Sequence, residues 1–268
     1  MQRISIESID DPRLAPFRDL KTTNASRQEG LFVAEGTTLV ERLLYSSYSV
    51  KAVLASEQKL RNFGSRIPDG TNVYVVSRDL ATELVGYKFH LGVVAAAERK
   101  PEPELSETLK KNPGLVLLGD HLIDPENVGA LIRIASGFGV SAVVLSRGTT
   151  DAFSRRVLRV SMGNGLFIPV VQNVDSVDTL GALKAADYRC CATVLDQSAM
   201  RLNNFSFAQR TVLVVGNETH GVSPAALEAC DCRLTIPMLN GTDSLNVAVA
   251  TGIFCHAYQS QWHVQPNV

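Results

Sequence analysis

The sequence predicts an α/β protein with a largely parallel main sheet, and three observations carry that reading. Short β-branched apolar runs alternate with segments of helical periodicity, the pattern of strand, crossover helix and strand. A stretch dense in charge and proline, Glu98-Arg99-Lys100-Pro101-Glu102-Pro103-Glu104, followed by Lys110-Lys111-Asn112-Pro113-Gly114, divides the chain. Beyond that break, polar glycine-bearing segments follow apolar runs directly, where open α/β sheets keep their ligand sites. The expected layout is a smaller α/β domain over residues 1–98, a linker over 99–113 and a main α/β domain over 114–268.

In the first domain the strand runs are 31–34, 50–55, 73–77 and 91–97, with helices between them. In the main domain they are 115–118, 142–145, 167–171, 191–195, 212–215 and 233–236. Helices are expected from Asp124, around the arginines at 155–159, over 177–186, from Pro224 and from about Ser244.

Bulk properties narrow the function classes. A chain of 268 residues, 45% of them hydrophobic, can bury two cores or one large one. Lys and Arg total 26 against 27 Asp and Glu, so no whole-molecule field draws a polyanion, and nucleic-acid binding would rest on local basic clusters. The five cysteines include no CxxC pair and no zinc-ligand spacing, so they read as small hydrophobes and no metal is expected. The first residues lack a basic region followed by an apolar run, and no segment approaches membrane-spanning length, which makes a cytoplasmic location the expectation.

Three loops carry the chemistry. The first runs from Asp120 into Asp124-Pro125-Glu126-Asn127-Val128-Gly129-Ala130-Leu131-Ile132-Arg133, where Asp124 can cap a helix and Pro125 suits its first position. Val128, Leu131, Ile132, Ala135 and Phe138 form its core stripe. Gly129 and Gly137 each weaken such a helix by about 1 kcal/mol relative to alanine; with Ser136 they leave room around Arg133. The second is Val215-Gly216-Asn217-Glu218-Thr219-His220-Gly221-Val222-Ser223-Pro224, and the third is Ile236-Pro237-Met238-Leu239-Asn240-Gly241-Thr242-Asp243-Ser244-Leu245-Asn246-Val247. Singly, each reads as turn chemistry followed by a helix cap, and Arg133 as a surface residue. Together, in order and at strand ends of one domain, they point to a site.

In that order the three segments resemble the motifs of the SpoU class (TrmH-like) of the SPOUT superfamily, RNA ribose 2′-O-methyltransferases that use S-adenosyl-L-methionine, over residues 120–258. Residues 1–98 are similar to the family's substrate-binding domain, related to RNA-binding ribosomal proteins, through Lys21, Arg27 and Phe32-Val33-Ala34-Glu35-Gly36. The resemblance implies a trefoil knot in the parallel domain and a homodimer with the active site at or near its interface. It implies donor binding by Thr193, Leu195, Gly216, Asn217, Glu218, Ile236, Met238, Ser244 and Leu245. Catalytic or substrate-orienting roles fall on Asn127, Arg133, Glu218, Ser244 and Asn246. A guanidinium is too weak an acid to give up its proton and serve as a base; Arg133 therefore reads as a phosphate clamp that stabilises developing charge. Arg155, Arg156 and Arg159 lead into a family-like Ser161-Met162-Gly163-Asn164-Gly165 and, with Lys21 and Arg27, are the RNA contacts expected. Asp243 stands where glutamate is common, and Thr219-His220 where glycine plus a variable residue is frequent.

Structured RNA is the implied partner, ribosomal RNA ahead of transfer RNA. The alternative is an RNA-binding protein that keeps the fold without catalysis. A nicotinamide dehydrogenase would show GxGxxG where this chain has DPENVG, and a serine hydrolase would show GxSxG around Ser244.

Overall fold

The computed structural model describes residues 1–20, 30–196, 198–240 and 242–262; Lys21 and Arg27 lie outside the described residues. The first part of the chain runs β1 (Gln2–Ser5), β2 (Leu31–Glu35), α1 (Thr37–Leu44), β3 (Val50–Ser56), α2 (Glu57–Phe63), β4 (Asn72–Val76), α3 (Arg78–Val85) and β5 (Val93–Glu98). There follow α4 (Leu105–Lys111), β6 (Leu115–Asp120), α5 (Pro125–Gly137), β7 (Ala142–Ser146), α6 (Arg155–Val160), β8 (Val170–Val174) and α7 (Ser176–Ala185). The chain continues through β9 (Arg189–Thr193), β10 (Met200–Arg201), β11 (Thr211–Gly216), α8 (Pro224–Ala229), β12 (Cys232–Thr235) and α9 (Val247–Trp262).

Two compact units result. One comprises Met1–Pro101 with Phe153–Phe167, the other Glu102–Ala152 with Ile168–Val268. Both depart from the expected domain bounds for packing reasons. The stretch 99–113, expected as a linker, is helical over α4, which buries Leu109 in the core of the second unit. Phe153–Phe167, expected in the main domain, sends Leu158 and Leu166 into the first unit's core, while Phe153 packs against Phe32 and Tyr48.

The first unit's sheet has the order β1-β4-β3-β5-β2. Strands β1, β4 and β3 are parallel, but β5 is antiparallel to both β3 and β2. This sheet is therefore mixed, because apolar runs mark a strand without giving its direction. Successive residues of β3 feed opposite cores: Val53 and Ala55 one, Ala52 and Leu54 the other. The four-residue edge strand β1 is mostly exposed and gave no apolar run to read.

The second unit's sheet, β10-β12-β9-β11-β6-β7-β8, is parallel throughout. Its central strands are buried along their whole length, which is why 115–118 and 212–215 read as unbroken apolar runs. Two strands are shifted from the expected runs: β8 starts at Val170, leaving Phe167 exposed, and β9 ends at Thr193, leaving Leu195 exposed. The last helix begins at Val247 rather than near Ser244. Its start is fixed by Asn246, whose Oδ1 accepts from Ala248 N (2.9 Å) and Val249 N (3.4 Å). Cys190, Cys191 and Cys255 are buried, and burial pushes the Cys190 and Cys255 thiols up to about 12. Among the described residues no helix is long and apolar enough to cross a membrane.

Candidate active site

Strands β6 and β11 are neighbours with Asp120 opposite Gly216, so the segments leaving their C-terminal ends start side by side. At Gly216 the chain doubles back: a Cβ there would stand 2.0 Å from Val222 N and 2.1 Å from the Gly221 carbonyl carbon. Asn217 then closes the loop. Its backbone exchanges N–H···O bonds of 2.9 Å in both directions with Gly221, which sits at φ +69°. Its Oδ1 accepts from Thr219 N (2.9 Å) and His220 N (3.1 Å), and its Nδ2 donates to the His121 carbonyl (2.8 Å).

The loop presents Glu218 to the start of α5. The carboxylate accepts from Asp124 N (3.1 Å), Ile123 N (3.3 Å) and Asn127 Nδ2 (3.0 Å). Negative charge is favoured at a helix N-terminus, and here it arrives from a distant segment. Asp124 caps the same helix through Glu126 N (2.8 Å), with Pro125 at its first position.

Asn127, 6% exposed, passes the connection on: its Oδ1 accepts from Asn246 Nδ2 (2.9 Å). The orientation of both amides is set from the ends of the chain. A carboxylate can only accept, so Asn127 must turn its NH2 to Glu218. A backbone N–H can only donate, so Asn246 must turn its oxygen to Ala248, leaving its NH2 for Asn127. One relay, Glu218–Asn127–Asn246, thus ties the second, first and third loops.

These loops surround a cavity of about 740 Å³. It is lined by Asn127, Thr193, Leu195, Gly216, Asn217, Glu218, Ile236, Met238, Ser244, Leu245 and Asn246, together with neighbouring residues. Every residue expected at the donor or catalytic site lies there except Arg133, which is exposed and does not line the cavity. At 100° per residue, six residues carry Arg133 about 240° round α5 from Asn127, so the two side chains leave different sides of the helix. The Thr193 hydroxyl donates to the Val214 carbonyl (3.0 Å) and so joins β9 to β11 beside the cavity.

The expected RNA contacts on α6 differ among themselves. Arg155 is held inside the first unit, 3.4 Å from Glu35 Oε2, donating to the Leu20 carbonyl and lying 4.9 Å from the centre of the Tyr87 ring. Arg156 and Arg159 are exposed. Asp196 and Arg233, charged residues outside the expected site, also line the cavity. The signal for Arg233 was its place in β12 beside buried Leu234, where alternation turns it to the other face.

Burial pulls the Glu218 carboxyl upward, but hydrogen bonds from Asn127 and from the backbone N–H groups of Asp124 and Ile123 outweigh it and hold the group below its ordinary range. Asp120 behaves likewise: burial raises it, and bonds from Ser176 and Ser223 bring it below the usual aspartate value. Carboxyls lowered in this way stabilise the fold fully above their unfolded values near pH 4 and lose that contribution as pH falls through the lower folded values. Urea midpoints are accordingly expected to agree at pH 7 and pH 5 and to decline below about pH 4, with Glu218→Gln flattening part of the decline. Glu218→Ala strands three donors at a partly solvated site and is expected to lower stability by about 1 kcal/mol, read from the same urea curves.

A family model described as the SpoU rRNA Methylase family matches residues 114–256. The chain is 35% identical over 267 residues to an uncharacterized tRNA/rRNA methyltransferase of Mycobacterium tuberculosis, covering 96% of this chain and 92% of that protein. It is 34% identical over 252 residues to the 23S rRNA (guanosine(2553)-2′-O)-methyltransferase RlmP of Bacillus subtilis, covering 94% of this chain and 97% of that one. Among solved structures, an RNA 2′-O ribose methyltransferase aligns with a TM-score of 0.78 at 26% identity, over 98% of this chain and 100% of that one. The AdoMet-bound rRNA methyltransferase of Sinorhizobium meliloti shares the fold with a TM-score of 0.82 at 24% identity, over 99% of this chain and 100% of that one.

Proposed function

Because the chain belongs to the SpoU rRNA methylase family, we propose that it transfers a methyl group from S-adenosyl-L-methionine to a ribose 2′-hydroxyl of structured RNA, ribosomal RNA ahead of transfer RNA. The observation that carries this reading is the convergence of the segments after β6, β11 and β12 on one cavity, tied by the Glu218–Asn127–Asn246 relay. The cavity's volume falls within the roughly 300–1,000 Å³ of small-molecule sites, and Gly216 lets the loop's own backbone at Gly221 and Val222 fold back against it beside the cavity, where a Cβ could not stand. Gly216, Asn217, Ile236, Met238 and Leu245 would hold the donor, which supplies an electrophilic methyl on a sulfonium.

The chain's own groups then have separable tasks. Glu218 has its carboxylate engaged by three N–H donors and holds the loops in place rather than taking a proton. Asn127 and Asn246 fix the approach of the ribose from positions locked by the relay, and Ser244, exposed at the rim, orients the incoming phosphate or ribose. Arg133 clamps the RNA phosphate and stabilises the negative charge left on the 2′-oxygen as its proton passes to solvent; that oxygen then bonds the methyl carbon as the bond from carbon to sulfur breaks. Positioning of donor and hydroxyl supplies most of the remaining acceleration.

Arg133 requires a second copy of the chain in this scheme, since it does not line its own cavity. The exposed side of α9 carries Val249 at 54% and Ile253 at 38% exposure, apolar residues suited to an interface between two copies. Sedimentation is expected to give a dimer for the native chain and a monomer for Ile253→Asp; a monomeric native chain would remove this part of the proposal. A knotted C-terminus is supported by the chain's path: the segment after β12 lines the cavity beside loops 193–196 and 216–222, and α9 packs on α5. Arg156 and Arg159 supply phosphate contacts whose binding weakens with salt, and action on ribosomal RNA makes the protein cytoplasmic.

The test is transfer of label from methyl-labelled AdoMet to ribosomal and transfer RNA, followed by alkaline hydrolysis. A 2′-O-methyl group blocks cleavage of the adjacent phosphodiester, so the expected result is label in an alkali-resistant dinucleotide from ribosomal RNA. RNA binding with no label in either RNA would favour the non-catalytic alternative.

A further inference from the structure

We propose that Asp120 is a positioning residue for the methyl donor: its buried carboxylate sets both feet of the 216–223 loop, through Ser223 at one and His121 at the other. The proposal rests on the donor reading of the cavity. Asp120 ends β6 and is 0% exposed. Its Oδ2 accepts from Ser223 N (2.9 Å), and its Oδ1 accepts from the Ser176 hydroxyl (2.6 Å) and faces His121 Nδ1 (3.0 Å). His121 stands at φ +56°, a left-handed conformation that a non-glycine residue adopts only when its surroundings impose it. In that conformation its carbonyl receives Asn217 Nδ2 (2.8 Å).

Both ends of the loop are therefore anchored to two consecutive residues at the end of one strand, with Glu218 held by α5 between them. Asp120, His121, Ser176 and Ser223 are not among the residues lining the cavity, so the carboxylate acts on the donor through the loop alone.

The chemistry of the three partners separates position from charge. The Ser176 hydroxyl can turn to accept, and the His121 ring nitrogen accepts in one tautomer, but Ser223 N–H can only donate. An asparagine at 120 can meet all three, giving its oxygen to Ser223 and its NH2 to Ser176 and His121. Alanine meets none.

The experiment measures AdoMet binding by calorimetry, the KM for AdoMet, kcat at saturating AdoMet, and RNA affinity, for the native protein, Asp120→Asn and Asp120→Ala. For Asp120→Ala, the Kd and KM for AdoMet are expected to rise about tenfold or more, with kcat and RNA affinity kept within about threefold. Asp120→Asn is expected to retain a KM within about threefold of native. If Asp120→Ala does not fold, Asp120→Ser, whose shorter side chain cannot reach Ser223 N–H, carries the same expectation. An unchanged KM in the alanine or serine variant, a loss confined to kcat, or an asparagine variant as impaired as alanine would overturn the proposal. Native protein that binds no AdoMet would overturn the donor reading itself.

Discussion

Gly216→Ala is expected to reduce the affinity for S-adenosyl-L-methionine by about 100-fold or more while leaving the second unit folded, because the added methyl meets backbone rather than side chains. The atoms in its way are Val222 N at 2.0 Å and Gly221 C at 2.1 Å. Neither can retreat alone, since Gly221 is closed onto Asn217 by paired hydrogen bonds of 2.9 Å and the next turn is held by Ser223 N on Asp120. Relief requires opening the loop, which also withdraws Glu218 from Ile123, Asp124 and Asn127. Overpacking commonly costs about 1–3 kcal/mol and backbone clashes more, against a domain stability of about 5–15 kcal/mol. A local collapse of the loop is thus cheaper than global unfolding. Calorimetry with AdoMet reads the affinity, and a dissociation constant within threefold of native would show that the loop does not need its glycine. Gly181→Ala is the contrasting case. Gly181 lies exposed within α7 with nothing within 4 Å of a built Cβ, and alanine there is expected to stabilise by about 0.5–1 kcal/mol in urea denaturation without touching donor affinity.

Arg133→Ala is expected to lower kcat about 10²–10³-fold, the usual cost of removing a group that meets charge only in the transition state. Donor affinity should stay within about twofold, since the side chain does not line the cavity. Its exposed position implies a stability change within about 0.5 kcal/mol. Arg133→Lys distinguishes a clamp from a simple positive charge. An ammonium cannot reproduce the planar fork that grips a phosphate through two parallel bonds. Lysine is therefore expected to restore RNA affinity but little of kcat, and near-normal turnover in the lysine variant would count against the clamp.

The parts of this site that were legible in the sequence are those fixed by local chemistry. Pro125 after Asp124, Gly216-Asn217 after an apolar run, and Pro237 after Ile236 each restrict the backbone within a few residues, so the loops and the helix start could be placed. The relay could not. It depends on Asn127 meeting Asn246, 119 residues away, and Glu218, 91 residues away, which only the order of the parallel strands brings about. Strand order and direction leave no mark on hydropathy, which is also why the antiparallel β5 was not foreseen. The linker expectation failed because prolines and charges at 98–104 were extended across α4, whose Leu105 and Leu109 at i and i+4 already marked a buried face. The angular place of Arg133 follows from helix periodicity alone, since six residues at 100° each carry it to a different side of α5 from Asn127.

A crystal structure of the protein grown with S-adenosyl-L-methionine or S-adenosyl-L-homocysteine tests the enclosure of the donor by the three loops most directly. The ligand is expected between Gly216 and Leu245, with the Asn127–Asn246 and Asn127–Glu218 hydrogen bonds intact. A ligand bound elsewhere on the chain, or a cavity filled by Met238 and Leu245 with the ligand excluded, would contradict it.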